Sequence, residues 1–387
     1  MTRYDIAIIG AGVMGAAAAT EAARDGARVC LIDQAGLPNP RGASVDHSKV
    51  FRYAYPDPFY VRLAVDALKL WREAESETET ELMTQTGLLL IGSRQDKSES
   101  RDWLDSYNAL RLVGVEAEML TGTEAAQRFP QFNADAIAYG VMDPSGAILH
   151  AERAVHALIN LARRRGVSVI ENERVTGIDN RNGVTALATQ SGSLIECSRA
   201  MVASGPWTRK LLPELHHLLK TTRQEVFYFE PETTGVSHNA PGFGVGEFPI
   251  FFATDTGFYG FPIHNAGAMK IADHEKGDPV DPDKIDETVS DKAMDECRAF
   301  FREYIPGLAD ARLFETRVCI YNNTADDDFI IDWHPELENV LIVTGFSGHG
   351  FKFAPTIGRI AAELLLSGNT SYSIERFRLA RFSTERR

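Results

Sequence analysis

Cysteine is scarce in this chain, with four in 387 residues. Cys30, Cys197, Cys297 and Cys319 lie far apart, without a CxxC pair or Cys/His ligand spacing. That excludes a disulfide framework and a zinc site as the basis of the fold, and no metal centre is expected. Positive charge is also in deficit: 40 Lys+Arg face 54 Asp+Glu, for a formal net charge of −14. Nucleic-acid binding needs basic stripes against phosphate. The only basic clusters, Arg163-Arg164-Arg165 and Arg386-Arg387, are short and suit a solvated surface. Long apolar runs are missing as well. None reaches the roughly 18 residues of a membrane span, and the N-terminus enters an apolar strand without the pattern of a secretory signal. A reducing cytoplasmic compartment is therefore expected, with no membrane partner. Internal repeats and low-complexity tracts are absent.

What is present is an ordinary globular mixture, 44% hydrophobic and 24% charged, with enough length for two or three domains. Tyr4-Asp5-Ile6-Ala7-Ile8-Ile9 has the pattern of a buried strand, followed at once by Gly10-Ala11-Gly12-Val13-Met14-Gly15. An alanine-rich helix over 16–26 and a second apolar run to Ile32 complete a β-α-β unit that ends at Asp33. Helices are predicted over 59–74, 151–166, 288–304 and 355–366 from their apolar spacing. Extended segments are predicted around 84–92, 167–170, 193–197, 200–203, 317–321 and 341–343, and through the aromatic-rich stretch 224–275. Glycine turns fall at Ser204-Gly205-Pro206-Trp207 and over 345–350.

The glycine spacing has a mechanical purpose. Gly10 permits the tight turn, Gly12 lets the backbone approach a pyrophosphate, and Gly15 lets helix and strand pack closely. The helix N-terminus offers free N–H groups and partial positive charge to the anion. Asp33, at the second strand end, is placed to accept from ribose hydroxyls and disfavours a 2′-phosphate. NAD and FAD are not separated by this unit, although the second glycine turn at Gly205 and Trp207 favours FAD. The pattern implies a doubly wound nucleotide domain with a β-rich domain inserted.

Two further segments carry a family resemblance. Arg317-Val318-Cys319-Ile320-Tyr321 with Asp328-Phe329-Ile330-Ile331-Asp332 is one, and Gly345-Phe346-Ser347-Gly348-His349-Gly350-Phe351-Lys352-Phe353 is the other. Both resemble the monomeric sarcosine oxidase and N-methyltryptophan oxidase family, within the glycine/D-amino-acid oxidase flavoprotein group. The similarity runs in order along essentially the whole chain to Phe377-Arg378-Leu379. It implies an α/β plus β-rich, two-domain fold of the FAD-dependent amine oxidase type. Residues 1–85, 140–219 and 322–387 would form a Rossmann-like FAD-binding domain. Residues 86–139 and 220–321 would form an antiparallel-sheet catalytic domain.

The resemblance also implies site residues. Val175 corresponds to a backbone contact to adenine, and Cys319 to a cysteine that carries FAD through its 8α-methyl group. Gly345, Gly348 and Gly350 correspond to the turn beside the flavin pyrimidine, and Ser44 and Ser48 join the cofactor-binding set. Lys352 and Arg52 correspond to the clamp on a substrate carboxylate, for which an arginine fork is well suited. Tyr259, Lys270 and His274 match the family's tyrosine, oxygen-activating lysine and histidine, and Tyr321 would line the pocket. The chain departs from the family at Ser44-Val45-Asp46-His47-Ser48-Lys49, where Val45 replaces a histidine and Lys49 an arginine. A lysine there is similar to the fructosyl-amino-acid oxidases.

The expectation is an FAD-dependent oxidase of an N-substituted amino acid, with dioxygen as acceptor, hydrogen peroxide as product and a monomeric state. The rivals are a fructosyl-amino-acid oxidase, a flavin dehydrogenase with another acceptor, an NAD-dependent dehydrogenase, and a flavin-carrying protein without turnover.

Overall fold

A computed structural model of the chain describes residues 3–94, 101–181, 183–231, 242–265, 267–275 and 277–385. The basic pair at 386–387 and part of the extended stretch 224–275 lie outside these residues.

The first strand, Arg3–Ile9, is central in a sheet that holds eight strands among the described residues. It pairs in parallel with Val29–Ile32 on one side and Leu194–Val202 on the other. Ser168–Ile170 extends the sheet in parallel beyond Val29–Ile32, and Val340–Thr344 pairs in parallel with Leu194–Val202. Strands buried on both faces carry no alternation, hence the uninterrupted Ala7-Ile8-Ile9 and Val29-Cys30-Leu31-Ile32. Helix Val13–Arg24 packs beneath, so close to the last helix, Ala354–Ser367, that a Cβ on Gly358 would stand 2.7 Å from Ala17.

The second sheet, also of eight strands, runs in the order Arg312–Asn323, Lys220–Glu230, Met269–Asp273, Phe258–Phe261, Ile250–Ala253, Leu88–Ser93, Ile137–Asp143, Glu118–Thr121. Its neighbours are antiparallel except Ile250–Ala253 against Leu88–Ser93. Helix Asp291–Tyr304 covers it, stacking Phe300 on Phe251 with ring centroids 5.7 Å apart and burying Phe301 against Phe229. A small sheet of Lys49–Phe51, Ala147–Leu149 and Met83–Gln85 lies apart from both.

Several boundaries differ from the sequence expectation. The first helix starts at Val13, inside the glycine motif, and the helix expected over 59–74 spans Pro58–Thr78, where the Asp57 carboxylate accepts the Phe59 N–H at 2.8 Å. The helix expected from 288 begins at Asp291 because Ser290 caps it. The segments 193–197 and 200–203 form one strand, Leu194–Val202. Two helices in the 86–139 region were not anticipated. Asp102–Val113 closes on Gly114 in the left-handed region, and Gly122–Arg128 opens on a Thr121/Glu124 capping box.

Two glycine substitutions separate packing from conformation. A Cβ on Gly15 would stand 1.8 Å from the Gly10 carbonyl oxygen, which cannot move without breaking the turn. Gly26 has φ +82° and nothing within 4 Å of its Cβ position. Gly15→Ala is expected to cost about 3 kcal/mol or more, and Gly26→Ala about 1 kcal/mol. Urea denaturation of the two variants measures the difference.

Candidate active site

The carboxyl ends of the parallel strands open onto a cavity of about 520 Å³. Gly10 and Gly12 line it where the first strand turns into the helix, and Ser44 supports that turn by accepting the Val13 N–H at 3.0 Å. Asp33 forms one wall. Its Oδ2 accepts the Ala11 N–H at 2.8 Å, and its Oδ1 accepts from Ala35 N and Asn39 Nδ2, each at 3.1 Å. Burial nevertheless pushes its carboxyl above the usual range. Val175, Gly205 and Trp207 also line this cavity. The Trp207 Nε1–H donates to Asp283 at 2.7 Å, and Lys210 pairs with Asp281 and Asp283, so a loop following the second sheet's strand Met269–Asp273 braces the rim.

A second, smaller cavity of about 70 Å³ adjoins the first. Lys49, Tyr321, Gly348 and Phe351 line both, which makes them a shared wall. Gly348 is required there, because at φ +75° it lies on the Tyr321 ring, and a Cβ would meet Cε2 at 2.2 Å. Ser48, Arg52, Tyr259, Lys270, His274 and Lys352 line the inner cavity. His274 Nδ1 is 3.2 Å from the Tyr321 hydroxyl, which burial pushes up to about 12 and so keeps protonated.

Not every expected residue reaches a cavity wall. Gly15 packs on the Gly10 carbonyl, and Gly345 packs against Thr324 behind its loop. Cys319 lines neither cavity. Its Sγ stands 3.8 Å from Lys49 Nζ and 3.7 Å from Asp46 Oδ2. Burial raises the thiol above its ordinary value despite the neighbouring lysines.

The two pairs of cations in this site differ in their partners. Lys270 Nζ donates to Asp46 Oδ2 at 2.6 Å and to the Ser48 carbonyl at 2.9 Å, and Lys49 Nζ lies 3.5 Å from the same carboxylate oxygen. Asp46, fully buried, is a residue the sequence reading passed over. It stood within the segment compared for Val45 and Lys49, and its partners are far away in the chain. Arg52 and Lys352, by contrast, form no ion pair among the described residues. Lys352 Nζ donates to the Tyr55 hydroxyl at 2.8 Å and the His349 carbonyl at 2.6 Å, and Arg52 lies over the Tyr55 and Phe252 rings. Burial and then the neighbouring Arg52 hold Lys352 well below the ordinary lysine range.

These residues fit FAD. The outer cavity offers a helix N-terminus for a pyrophosphate and an acid at a strand end for a ribose. On the inner cavity, one residue from the shared Lys49, Ser48 Oγ is buried without a hydrogen-bond partner, a group that a polar heterocycle would satisfy.

Fold and site together define a flavin-dependent oxidoreductase. Residues 5–364 match the family described as FAD dependent oxidoreductase, and the chain belongs to that family. Within it the chain is 34% identical over 387 residues to monomeric sarcosine oxidase of Bacillus sp., covering 98% of this chain and 96% of the relative. It is 31% identical to N-methyl-L-tryptophan oxidase of Salmonella heidelberg, covering 98% of this chain and all of the relative (100%). Among solved structures, the open form of NikD, an unusual amino acid oxidase essential for nikkomycin biosynthesis, superposes with a TM-score of 0.83 at 23% identity, covering 98% of each chain. The two-domain flavoprotein fold expected from the sequence is thereby borne out.

The charge state of Lys352 yields a test that needs no substrate. A carboxylate entering the inner cavity favours the ammonium form, so the Lys352 pKa rises on binding and protons are taken up. Acetate binding, followed by calorimetry in buffers of different ionisation enthalpy, is expected to show net proton uptake. Affinity is expected to weaken as pH rises, by up to about tenfold per unit. Lys352→Met is expected to abolish the uptake.

Proposed function

We propose that this protein is an FAD-dependent oxidase of N-methyl amino acids that oxidises the C–N bond to an imine and reduces dioxygen to hydrogen peroxide. The observation that carries the reading is the Arg52/Lys352 pair. Two cations without a carboxylate partner among the described residues border a small cavity that shares its wall with the nucleotide cavity. The substrate carboxylate is the acid this pair lacks, and an arginine fork beside a lysine can hold it in one orientation. The kinship with oxidases of sarcosine and N-methyl-L-tryptophan supports the same substrate class. The inner volume of about 70 Å³ favours a short substrate over one bearing a fructosyl group.

When bound, FAD supplies the two-electron chemistry. The chain supplies position and charge. Residues 1–85, 140–219 and 322–387 form the FAD-binding body, and residues 86–139 and 220–321 bring the second sheet against it. Gly12 and the first turn of the following helix would hold the pyrophosphate, Asp33 a ribose and Val175 the adenine. Arg52 and Lys352 fix the carboxylate, which holds the amine at the wall made by Tyr321 and Gly348. Tyr259 and His274 border the same cavity next to Tyr321 and limit the N-substituent. Lys270 presents a fixed positive charge where negative charge grows on dioxygen. Cys319, behind the shared wall beside Lys49, would be the point of covalent attachment to FAD, with Lys49 opposing the burial that raises its thiol. The protein works as a monomer.

Peroxide release tests the reading. Sarcosine and other N-methyl amino acids are expected to yield peroxide, and a fructosyl amino acid little. Lys352→Met is expected to lower kcat/KM by about 10- to 150-fold, the worth of one hydrogen-bonded charge contact. Peroxide from the fructosyl amino acid alone would reverse the assignment.

A further inference from the structure

Asp46 is fully buried, and each of its oxygens is engaged. Oδ1 accepts from the Tyr228 hydroxyl and from the His47 N–H, both at 2.7 Å. Oδ2 takes Lys270 at 2.6 Å and faces Lys49 and Cys319. The cluster gathers three strands of the second sheet: Tyr228 from Lys220–Glu230, Lys270 from Met269–Asp273 and Cys319 from Arg312–Asn323. Asp46 itself comes from the segment before Lys49–Phe51, outside that sheet.

Lys270 is only 1% exposed. Burial alone drives a lysine towards its neutral form, and a carboxylate in contact opposes this. Burial does lower Lys270, with Asp46 the main influence acting the other way. Two of the three ammonium protons are committed, to Asp46 and to the Ser48 carbonyl, which fixes the direction of the third. Phe261 stands 4.9 Å from Nζ and bounds the same space.

We propose that Asp46 is a positioning residue for the oxygen reaction: its buried carboxylate keeps the Lys270 ammonium charged and aimed into the inner cavity. This rests on the oxidase reading above. Asp46 acts through Lys270 and touches neither cavity itself.

Two experiments test it. In stopped flow, substrate-reduced Asp46→Asn is expected to react with dioxygen at least tenfold more slowly than the parent, and this loss should exceed any loss in anaerobic reduction at least fivefold. In a Lys270→Met background the same change should alter the dioxygen step less than about twofold, and Asp46→Glu should recover part of the single-variant loss. A dioxygen step within twofold of the parent in Asp46→Asn would overturn the proposal. A parent whose flavin no N-methyl amino acid reduces would instead remove the oxidase reading.

The second experiment uses the FAD-free protein and its thermal melting. Asp46→Asn strands a buried ammonium, so it should melt well below the parent, and adding Lys270→Met should recover part of that loss. Recovery of folding in the double variant, where the single variant does not fold, is the same result in stronger form. Additive losses, or failure of both variants to fold, would overturn the coupling.

Discussion

A single buried carboxylate organises this site. Asp46 is where a segment outside the second sheet meets three strands of that sheet, and it meets them through charge. Removing one partner of a buried ion pair costs about 3–5 kcal/mol, because the remaining charge is left without solvent or counter-ion. Such a pair contributes less to net stability than a packed apolar cluster of the same volume. What it contributes is geometry: Lys270 has one low-energy position, with Ser48 and Asp46 defining it. The phenylalanine-rich layer beneath helix Asp291–Tyr304 holds the second sheet itself, so the polar cluster is free to serve orientation.

The other pair of cations shows the opposite economy. Arg52 and Lys352 have aromatic rings, a hydroxyl and a carbonyl for company, and no acid among the described residues. Two like charges in a buried setting raise each other's cost, and Lys352 responds by moving towards neutrality. In the proposed function the substrate carboxylate would relieve both costs at once, concentrating binding energy at the one group that all amino-acid substrates share. The inner cavity thus holds two cations already paired with Asp46 (Lys49 and Lys270) and two without an acid among the described residues (Arg52 and Lys352).

The legible parts of this architecture are those whose meaning is local. The turn from Gly10 to Gly15 announces itself because close backbone approach demands glycine within six positions. The same holds for Gly348, which must lie flat on Tyr321. Helix Pro58–Thr78 follows from apolar spacing and an Asp57 cap. Gly345 shares a motif with Gly348 but packs behind the loop, since a motif marks a turn without saying which face the ligand takes. Asp46 was illegible for the converse reason. An aspartate between valine and histidine has no pattern, and its partners Tyr228, Lys270 and Cys319 lie more than 180 residues further along the chain. Helix Asp102–Val113 escaped because its buried face is only Trp103, Ser106, Ala109 and Leu110, too weak an apolar stripe beside its charged neighbours.

The account stands on a flavin lying against the wall that Lys49 shares between the two cavities, with Asp46 and Cys319 directly behind that lysine. The most direct measurement is the visible spectrum of purified protein before and after acid precipitation, with the mass of the proteolytic peptide that carries Cys319. Yellow colour retained in the pellet, with FAD on that peptide, is the result the account predicts. Colour released wholly to the supernatant from an unmodified Cys319 would contradict the attachment, and protein that stays colourless when FAD is added would contradict the site.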